Sequence, residues 1–572
     1  MRTHYNHELN IKNVGELVTL NGWVSKTRNL GSLIFVDLRD RFGITQLNFP
    51  ENLFAEASKL KNEYVIEVSG KVIERQSKNP NLKTGEIEIL VDHLEILNVA
   101  SQPPILINDD DNTLEETRLK YRYLDLRKPK TQKYLIKRHE IVQAVRESLV
   151  NGGFYELETP FLGRSTPEGA RDYLVPSRVH QGQFYALPQS PQMYKQLFMI
   201  AGFEKYFQIT KCFRDEDLRA DRQPEFTQID IESSFINEEQ IQTFVESLLE
   251  NVFKKVLNIK IKTPFVRMDY DEAIRKYGSD KPDTRYGLLI NDFTSVFSKT
   301  NIPLFNGKEY IAGITVTGSD SFTRKKIDEL THLVKKNHGE ALAYIKNENN
   351  NYSGSIIKFL DNKELDALKL ENNEILFLVP GKYEDVSNSL GALRIQVAKE
   401  LNLIDSDLFN FLWVVNWPLL EYDEEDKRYY AMHHPFTAPD DVEKLRKDPK
   451  NAKAKAYDVV LNGYELGGGS IRIHQQDVQD LMFETLGFSP DEISKRFGFF
   501  VNALKYGTPP HGGIALGLDR LVMLITKTDN IRDVIAFPKT QNARDLMMES
   551  PNYVEDVQLD ELGLKVEVKD DK

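Results

Sequence analysis

The chain has 572 residues, of which 40% are hydrophobic and 28% charged, a composition typical of globular proteins. Its length predicts about three to four domains. No apolar run approaches the ~18 residues that span a bilayer, and the first residues lack the apolar core of a secretory signal. The single cysteine, Cys212, excludes an intrachain disulfide and a cysteine-based zinc site. We therefore expect a soluble, cytoplasmic, multidomain protein with no membrane partner.

The formal net charge of −13 disfavours nucleic-acid binding by the chain as a whole, but the charge is unevenly distributed. Residues 117–146 contain ten basic and two acidic residues. Such a run is either a solvated helix face or linker, or the place where an anionic ligand crosses.

Residues 17–95 contain five short runs with strand composition, which predicts a five-stranded OB-fold β-barrel over residues 1–105. Alternation in the second run places Phe35 on the outer face, and Gln46 lies beside it if the second and third strands pair. These two residues predict a single-strand nucleic-acid surface, unless Phe35 packs under a loop. Further candidates for this surface are Arg28, Arg75 and Asn79.

A Pro-containing acidic connector follows the barrel, and apolar residues at helical spacing then predict an amphipathic helix. The next segment, FYELETPFL, predicts a strand with Pro160 at an edge or interface. Residues 165–176 have the composition of a mobile lid. Residues 213–232 place many charges between two apolar strands, which predicts a long hairpin loop. Arg214 and Phe226 at its two ends suit the phosphate and the base of a nucleotide, although a salt-bridged surface hairpin is the alternative.

Near the C-terminus, a Gly-rich strand carries Glu465 and Arg472. Their separation of seven residues places them on opposite strand faces, unless the glycines bend the chain. Residues 511–525 predict a strand that turns into a helix with Arg520 in its first turns, an anion site. Asp458 and Glu465 are candidate magnesium ligands.

Several other ligand-binding patterns are disfavoured. The P-loop and Rossmann glycine patterns do not occur, so a nucleotide would be held by arginines on a sheet. A metal site at His433 and His434 is disfavoured because no third ligand follows a recognisable spacing.

These segments resemble the bacterial-type aspartyl-tRNA synthetases, which are class II aminoacyl-tRNA synthetases, over essentially the full length. FYELETPFL is similar to the family's first motif, FRDEDLRADRQPEFTQID to its second and GIALGLDR to its third, whereas LPQSPQMYKQ and ELGGGSIR are the segments that indicate aspartate. The resemblance implies an α+β catalytic domain on an antiparallel sheet, interrupted by an inserted α+β (GAD-like) module. The implied ranges are 1–105 for the anticodon-binding barrel, 106–130 for a hinge, 131–285 and 394–572 for the catalytic domain with its C-terminal extension, and 286–393 for the module.

The resemblance implies that L-aspartate and ATP, with Mg²⁺, form aspartyl-adenylate and pyrophosphate, after which the aspartyl group passes to the 3′ end of tRNA(Asp). Arg214, Arg520 and Glu465 are the implied catalytic residues. The resemblance also implies that Phe226 stacks on adenine and that Arg520 clamps the far phosphates on the opposite face of the base. The residues implied to contact ATP are Arg214, Asp215, Glu216, Gln223, Phe226, Glu465, Gly517, Leu518, Asp519 and Arg520, with Asp458 and Glu465 holding magnesium. Those implied to contact aspartate are Glu168, Gln192, Lys195, Arg214, Asp230, Arg472 and either His433 or His434.

The resemblance also assigns the barrel surface to the tRNA anticodon, with Phe35 stacking and Gln46 at the central uridine. Arg28, Arg75 and Asn79 would serve the neighbouring bases, and the basic run the tRNA backbone. Leu30 stands where relatives that also charge asparagine tRNA often have histidine, which favours a tRNA(Asp)-specific enzyme, with a variant that also charges tRNA(Asn) as the alternative. The family forms homodimers through the first motif, which places Pro160 at an interface.

Three other functions are alternatives to an aspartyl-tRNA synthetase. A related ammonia-using asparagine synthetase would not need the barrel. A catalytically inactive paralogue would lack some of Arg214, Glu465, Arg472 or Arg520, all of which are present. A general single-strand binding protein would leave the large second part of the chain unexplained.

Overall fold

The computed structural model describes residues 1–31, 33–165, 170–218, 220–298 and 300–567. The chain divides into two compact units, Met1–Pro129 and Lys130–Lys572. Among the described residues, no helix combines the length and the apolar composition that crossing a membrane requires.

The first unit contains a closed five-stranded barrel with the strand order β1-β2-β3-β5-β4, as the sequence predicted. Ile34, Val36 and Leu38 are buried inside it, because alternate side chains of a strand point to one face. Its elements are β1 (Leu17–Asn29), β2 (Ile34–Arg39), β3 (Ile44–Phe49), α1 (Phe54–Ala57), β4 (Val65–Glu74) and β5 (Ile87–Asn98), followed by α2 (Glu115–Lys120) and α3 (Arg122–Asp125).

The second unit is built on an eight-stranded sheet of mostly antiparallel strands. Its first part consists of α4 (Pro129–Asn151), β6 (Tyr155–Glu156), β7 (Leu174–Pro176), β8 (Phe184–Ala186), α5 (Gln192–Ile200), β9 (Lys205–Phe213), β10 (Glu225–Ser234), α6 (Glu238–Leu257), β11 (Val266–Asp269) and α7 (Tyr270–Tyr277). The long hairpin is confirmed as β9 and β10. The prediction of a strand throughout FYELETPFL is wrong, because only Tyr155 and Glu156 pair with β9 and only one further backbone hydrogen bond, from Leu157 to Phe207, joins the described part of this segment to that strand.

A second, five-stranded sheet with the order β12-β13-β16-β14-β15 interrupts the first one in sequence. It consists of β12 (Asn291–Asp292), β13 (Tyr310–Thr317), α8 (Arg324–Lys336), β14 (Ala343–Glu348), β15 (Asn351–Gly354), α9 (Asn362–Leu368), β16 (Glu374–Gly381) and α10 (Tyr383–Glu400). The expected end of this module at residue 393 falls inside α10, whose buried residues continue to Val397 and Ala398. Gly278 and Gly391 let the end of α7 approach α10, since a Cβ on either glycine would lie within 2.4 Å of a backbone oxygen.

The chain then returns to the eight-stranded sheet through β17 (Phe411–Val415), β18 (Leu420–Asp423), β19 (Arg428–Ala431), α11 (Val442–Lys447), β20 (Ala456–Leu461), β21 (Tyr464–Ile471), α12 (Gln476–Thr485), α13 (Pro490–Leu504), β22 (His511–Gly517), α14 (Leu518–Thr526) and α15 (Asp556–Leu562). The large sheet has the order β11-β17-β20-β21-β22-β10-β9-β6. One of its faces carries the apolar side chains that pack on α4, α6 and α14, including Ile229, Ile231, Val459 and Leu516. The opposite face is therefore available for polar residues.

Candidate active site on the polar face of the large sheet

Strand β10 carries the polar face of the sheet. Ile229 and Ile231 enter the apolar core, so Phe226, Gln228, Asp230 and Glu232 point to the other side. From Phe226 to Asp230 the strand extends ~14 Å, at about 3.4 Å per residue. One strand face thus connects an aromatic ring at one end with buried carboxylates at the other.

The aromatic end of β10 borders a cavity of about 150 Å³. The Arg214 guanidinium lies 5.0 Å from the centroid of the Phe226 ring, and Arg520 approaches from the first turn of α14. Arg520 donates to the backbone oxygen of Glu465 and, at 3.2 Å, to the Asp221 carboxylate. The predicted nucleotide residues that border this cavity are Arg214, Glu216, Gln223, Phe226, Glu465, Gly517, Asp519 and Arg520.

Two of the predicted nucleotide residues use their side chains within the protein. The Gln223 amide makes reciprocal hydrogen bonds with the backbone of Lys539, at 3.0 Å and 2.8 Å. The Asp519 carboxylate accepts hydrogen bonds from Arg138 and from the backbone N–H of Thr227. Among the others, Asp215 is half-buried and lies 3.5 Å from Arg171, and the Leu518 side chain is buried in the core.

The carboxylate end of β10 is a buried cluster of charges. Lys195 Nζ lies 2.9 Å from Asp230 and 3.2 Å from Glu232, and Arg472 donates to both oxygens of Glu232 at 2.9 Å and 3.1 Å. Arg472 Nη1 also lies 2.7 Å from His434 Nε2. The two cations that the sequence predicted as a pair are therefore held in place by two carboxylates.

Burial and these ion pairs determine the pKa values in the cluster. Burial raises the pKa of Asp230 to about 6, although Lys195 acts against this rise. Burial also acts to raise the pKa of Glu232, but Arg472 and Lys195 outweigh it and hold that pKa at about 2. Burial, together with Arg472, lowers the pKa of His434 well below its ordinary value, so the ring is neutral at pH 7.

A β-bulge decides on which face Glu465 lies. Val459 pairs with Gly467 whereas Val460 pairs with Glu465, so Leu466 is an extra residue in β21. The extra residue reverses the alternation and brings Glu465 to the same face as Asp458 and Arg472. Glu465 and Arg472 therefore lie on one face, the alternative that the sequence analysis allowed if the chain bends between them.

Asp458 and Glu465 have properties that suit a divalent cation. Asp458 Oδ1 is buried and accepts no hydrogen bond from the described residues, and it occupies space that a Cβ on Gly468 would fill. Burial, with Glu465 nearby, raises the pKa of Asp458 to about 6, and His433 Nε2 lies 3.7 Å from it. A cation would relieve this repulsion between carboxylates. Within the described ranges, however, no group of three His, Cys, Asp or Glu side chains converges as a metal site.

Two predicted aspartate residues remain. Glu168 lies outside the described residues, as do three of its neighbours in the predicted lid. Gln192 is buried at the start of α5, one helical turn before Lys195, and its side-chain N–H groups donate to none of the described residues.

The predicted anticodon residues lie on the barrel. Gln46 is the diagonal neighbour of Phe35 on one face of the barrel, because β2 and β3 pair Asp37 with Gln46 and Phe35 with Asn48. Arg28 donates to Asp37 at 2.7 Å and to Gln46 at 2.9 Å, and Gln46 donates to the Glu88 carboxylate. Leu30 is 69% exposed, whereas Phe35, Arg75 and Asn79 are partly buried.

Much of the basic run from residue 117 is engaged in ion pairs. Asp125 accepts from Arg118 at 3.1 Å and from Arg122 at 2.6 Å, and Lys128 lies 3.0 Å from it. Arg122 and Lys128 are buried. These side chains stabilise the connector, so they do not form a solvated basic face.

The sequence analysis missed Glu232, Asp221 and Arg138. A signal for Glu232 was present, since Gln228, Asp230 and Glu232 alternate with two isoleucines in β10. The other two residues depend on contacts between segments distant in sequence.

Comparison with known proteins identifies the family. A family model described as tRNA synthetases class II (D, K and N) matches residues 114–541, and one described as an OB-fold nucleic acid binding domain matches residues 18–97. An aspartate–tRNA(Asp/Asn) ligase of Geobacillus is 52% identical over 99% of this chain and 98% of its own length. An aspartate–tRNA ligase of Staphylococcus carnosus is 51% identical over 97% of both chains.

Solved structures share the fold at low sequence identity. An asparaginyl-tRNA synthetase from Pyrococcus horikoshii, complexed with asparaginyl-adenylate, matches with a TM-score of 0.60 at 22% identity, covering 94% of this chain and 98% of its own. An aspartyl-tRNA synthetase from Entamoeba histolytica matches with a TM-score of 0.59 at 19% identity, covering 94% and 91%. The chain therefore belongs to the aspartate–tRNA ligases, a family of class II tRNA synthetases with an N-terminal OB-fold domain.

Proposed function

We propose that this chain activates L-aspartate with ATP and transfers the aspartyl group to the 3′ end of tRNA(Asp). The observation that carries the proposal is the single strand face that joins the Arg214–Phe226 cavity to the Lys195–Asp230–Glu232–Arg472 cluster. Its length suits a ligand with a purine at one end and an amino acid at the other. Membership of the aspartate–tRNA ligase family supports the same reaction.

In the first step, a carboxylate oxygen of aspartate attacks the α-phosphorus of ATP, and the bond to the bridging oxygen breaks to release pyrophosphate. Arg214 neutralises the charge that develops at the α-phosphate, and Arg520 binds the far phosphates. In the second step, a ribose hydroxyl oxygen at the tRNA 3′ end attacks the acyl carbon, and AMP leaves. Positioning of reactants supplies much of the catalysis in both steps.

Selection of aspartate depends on the buried charge cluster. Asp230 binds the substrate ammonium, and Arg472 with Lys195 binds the side-chain carboxylate while Glu232 keeps both cations oriented. Asparagine would place a neutral amide against these cations and leave them without an anionic ligand. A site built from buried charged groups rejects such an analogue strongly. Gln192, Glu168 and one of the two histidines complete the predicted aspartate contacts.

The metal in this proposal is Mg²⁺, held by Asp458 and Glu465. Their fit rests on the buried Asp458 oxygen that accepts no hydrogen bond from the described residues and on the mutual repulsion of the two carboxylates. When bound, the ion neutralises phosphate charge. Asp215, Gly517 and Leu518 remain predicted nucleotide contacts, as do Glu216, Gln223 and Phe226. The carboxylate of Asp519, the remaining predicted contact, is already occupied by Arg138 and the backbone of Thr227.

The barrel is proposed to read the anticodon through Phe35 and Gln46, with Arg28, Leu30, Arg75 and Asn79 around them. We further propose a cytoplasmic homodimer, with Pro160 at the interface. Exposed apolar side chains near this proline, Tyr155, Phe161 and Leu162, support an interface there.

A second candidate function is charging of both tRNA(Asp) and tRNA(Asn). It is favoured by the names of relatives such as those from Geobacillus and Bacillus subtilis, which are aspartate–tRNA(Asp/Asn) ligases. It is disfavoured by Leu30. The two candidates share the chemistry and differ in the tRNA that is accepted.

The decisive experiment is amino-acid-dependent exchange of labelled pyrophosphate into ATP, with aspartate and asparagine measured side by side. We expect exchange with aspartate alone. Absence of exchange with either amino acid, from folded protein in the presence of Mg²⁺, would refute the proposed chemistry. Aminoacylation of purified tRNA(Asp) and tRNA(Asn) then separates the two candidates.

A further inference from the structure

Arg138, Thr227 and Asp519 form a closed network at the wall of the nucleotide cavity, and only Asp519 among them is a predicted ATP contact. Arg138 on α4 donates to Asp519 Oδ1 and, at 3.0 Å, to the hydroxyl of Thr227. The backbone N–H of Thr227 donates to Asp519 Oδ2 at 2.7 Å. Each member therefore contacts the other two, and the network joins three elements: α4, β10 and α14.

The network lies next to the two groups predicted to enclose the base. Thr227 follows Phe226 in β10, and Asp519 precedes Arg520 in α14. The bond between Thr227 and Asp519 consequently limits how far the Phe226 ring and the Arg520 guanidinium can move apart. Arg138 reinforces this bond, because it donates to both partners from a third element.

Asp519 has little capacity left for a ligand. Its side chain is 3% exposed, and both carboxylate oxygens accept hydrogen bonds from within the protein. The Arg138 side chain is 20% exposed and also reaches the backbone oxygen of Val534 at 3.4 Å. A charged pair buried to this degree holds its geometry well, since charge-assisted hydrogen bonds are strong and directional.

We propose that Arg138 and Asp519 are positioning residues that set the gap between Phe226 and Arg520 and thereby determine the affinity for the adenosine part of ATP. This inference rests on the proposed function and extends it to a residue of α4, far from the motif loops in sequence. Neither residue contacts the aspartate cluster, so the affinity for aspartate is independent of them.

The test compares the full-length chain with Arg138→Met and Asp519→Asn in aspartate-dependent pyrophosphate exchange. The amide introduced by Asp519→Asn would retain an oxygen for Thr227 but would present an NH₂ group to Arg138. We expect KM for ATP to rise about tenfold, because small displacements of binding groups weaken productive contacts. We expect kcat to change less than about threefold and KM for aspartate to stay within about twofold.

Lys137→Met provides the matched control. Lys137 lies next to Arg138 on α4, is 25% exposed and bonds to Glu140 at 2.7 Å and to the Val256 backbone oxygen at 3.0 Å. Loss of its charge should leave KM for ATP unchanged. Arg138→Lys retains the charge, so it should bind ATP more tightly than Arg138→Met does. If Arg138 had a purely structural role, its substitution would lower thermal stability without a selective rise of KM for ATP.

An unchanged KM for ATP in folded Arg138→Met would overturn the inference, and so would an equal rise of KM for ATP and for aspartate. If Arg138→Met does not fold, the same comparison on Asp519→Asn decides. Binding of AMP measured by calorimetry replaces KM for a variant without turnover, with about tenfold weaker binding expected. Failure of the unmodified chain to catalyse exchange would refute the proposed function, which is a different outcome from unchanged variants.

Discussion

The catalytic sheet and the barrel each contain a polar network around one glutamate, but the glutamate is bound by cations in the sheet and by amides in the barrel. Glu232 is fully buried between two cations, Arg472 and Lys195. Glu88 in the barrel is 6% exposed and accepts hydrogen bonds from the amides of Gln46 and Asn48. Removing one partner of a buried ion pair leaves an uncompensated charge, whereas removing the Gln46 amide leaves Glu88 with the hydrogen bond from Asn48. Stability and function are therefore coupled in the catalytic sheet and separable in the barrel.

The largest effect is expected at Arg472. Arg472→Ala should destabilise the protein by about 3–5 kcal/mol, because Glu232 would lose its main counterion. Arg472→Lys retains a charge but loses the two-point contact, so we expect kcat/KM for aspartate in pyrophosphate exchange to fall about a hundredfold.

Arg394→Lys is the matched control for this variant. Arg394 is equally buried, but it lies in α10 and donates to backbone oxygens of residues 283–288. The Arg394→Lys variant should be less stable than the unmodified chain, without a selective loss of aspartate activation. Normal activation by Arg472→Lys would contradict the assignment of the aspartate pocket.

A pH dependence should distinguish the catalytic cluster from the barrel. The proposed contact of Asp230 with the substrate ammonium requires an ionised carboxylate, and burial raises the pKa of Asp230 to about 6. We expect kcat/KM for aspartate to fall as the pH drops below about 6, approaching tenfold per pH unit. Asp458 titrates in the same range, but its contribution should shift with the concentration of Mg²⁺, whereas that of Asp230 should not. A profile of kcat/KM that stays flat from about one pH unit below to about one pH unit above the pKa of Asp230 would contradict the role of this residue.

A smaller and more selective effect is expected at Gln46. Gln46→Ala removes the amide between Arg28 and Glu88, so we expect kcat/KM for aspartylation of tRNA to fall about tenfold while pyrophosphate exchange stays unchanged. Asn21→Ala is the control, because Asn21 is also a strand amide bonded to a glutamate, Glu67 at 2.9 Å. Equal losses in both reactions of Gln46→Ala would mean that the barrel does not read the anticodon.

The smallest effect is expected at Leu30. Its side chain is 69% exposed, so Leu30→His should leave thermal stability within about 0.5 kcal/mol of the unmodified chain. We expect the ratio of charging of tRNA(Asn) to tRNA(Asp) to rise severalfold. An unchanged ratio would show that tRNA choice is determined elsewhere.

Much of the fold followed from local patterns. The β9–β10 hairpin, the strand-to-helix turn at Gly517 and the barrel strands were predicted because each depends on neighbouring residues along the chain. The exact register of Gln46, which faces Asp37 and lies diagonal to Phe35, could not be predicted because it depends on the geometry of the turn between β2 and β3. The strand in FYELETPFL was overestimated because apolar composition does not supply a pairing partner.

The sequence by itself determined the family, the order of the elements and the residue types at the site, because these are carried by contiguous motifs. Only the tertiary structure decided which charges meet. Side chains alternate along a strand, so Glu465 and Arg472, seven residues apart, share a face only if an extra residue between them breaks the alternation. Pairing with β20 makes Leu466 the extra residue of a bulge and brings both side chains to the polar face of the sheet. The ion pairs of Glu232 likewise form only when α5, β10 and the end of β21 pack together, since their partners are distant in sequence.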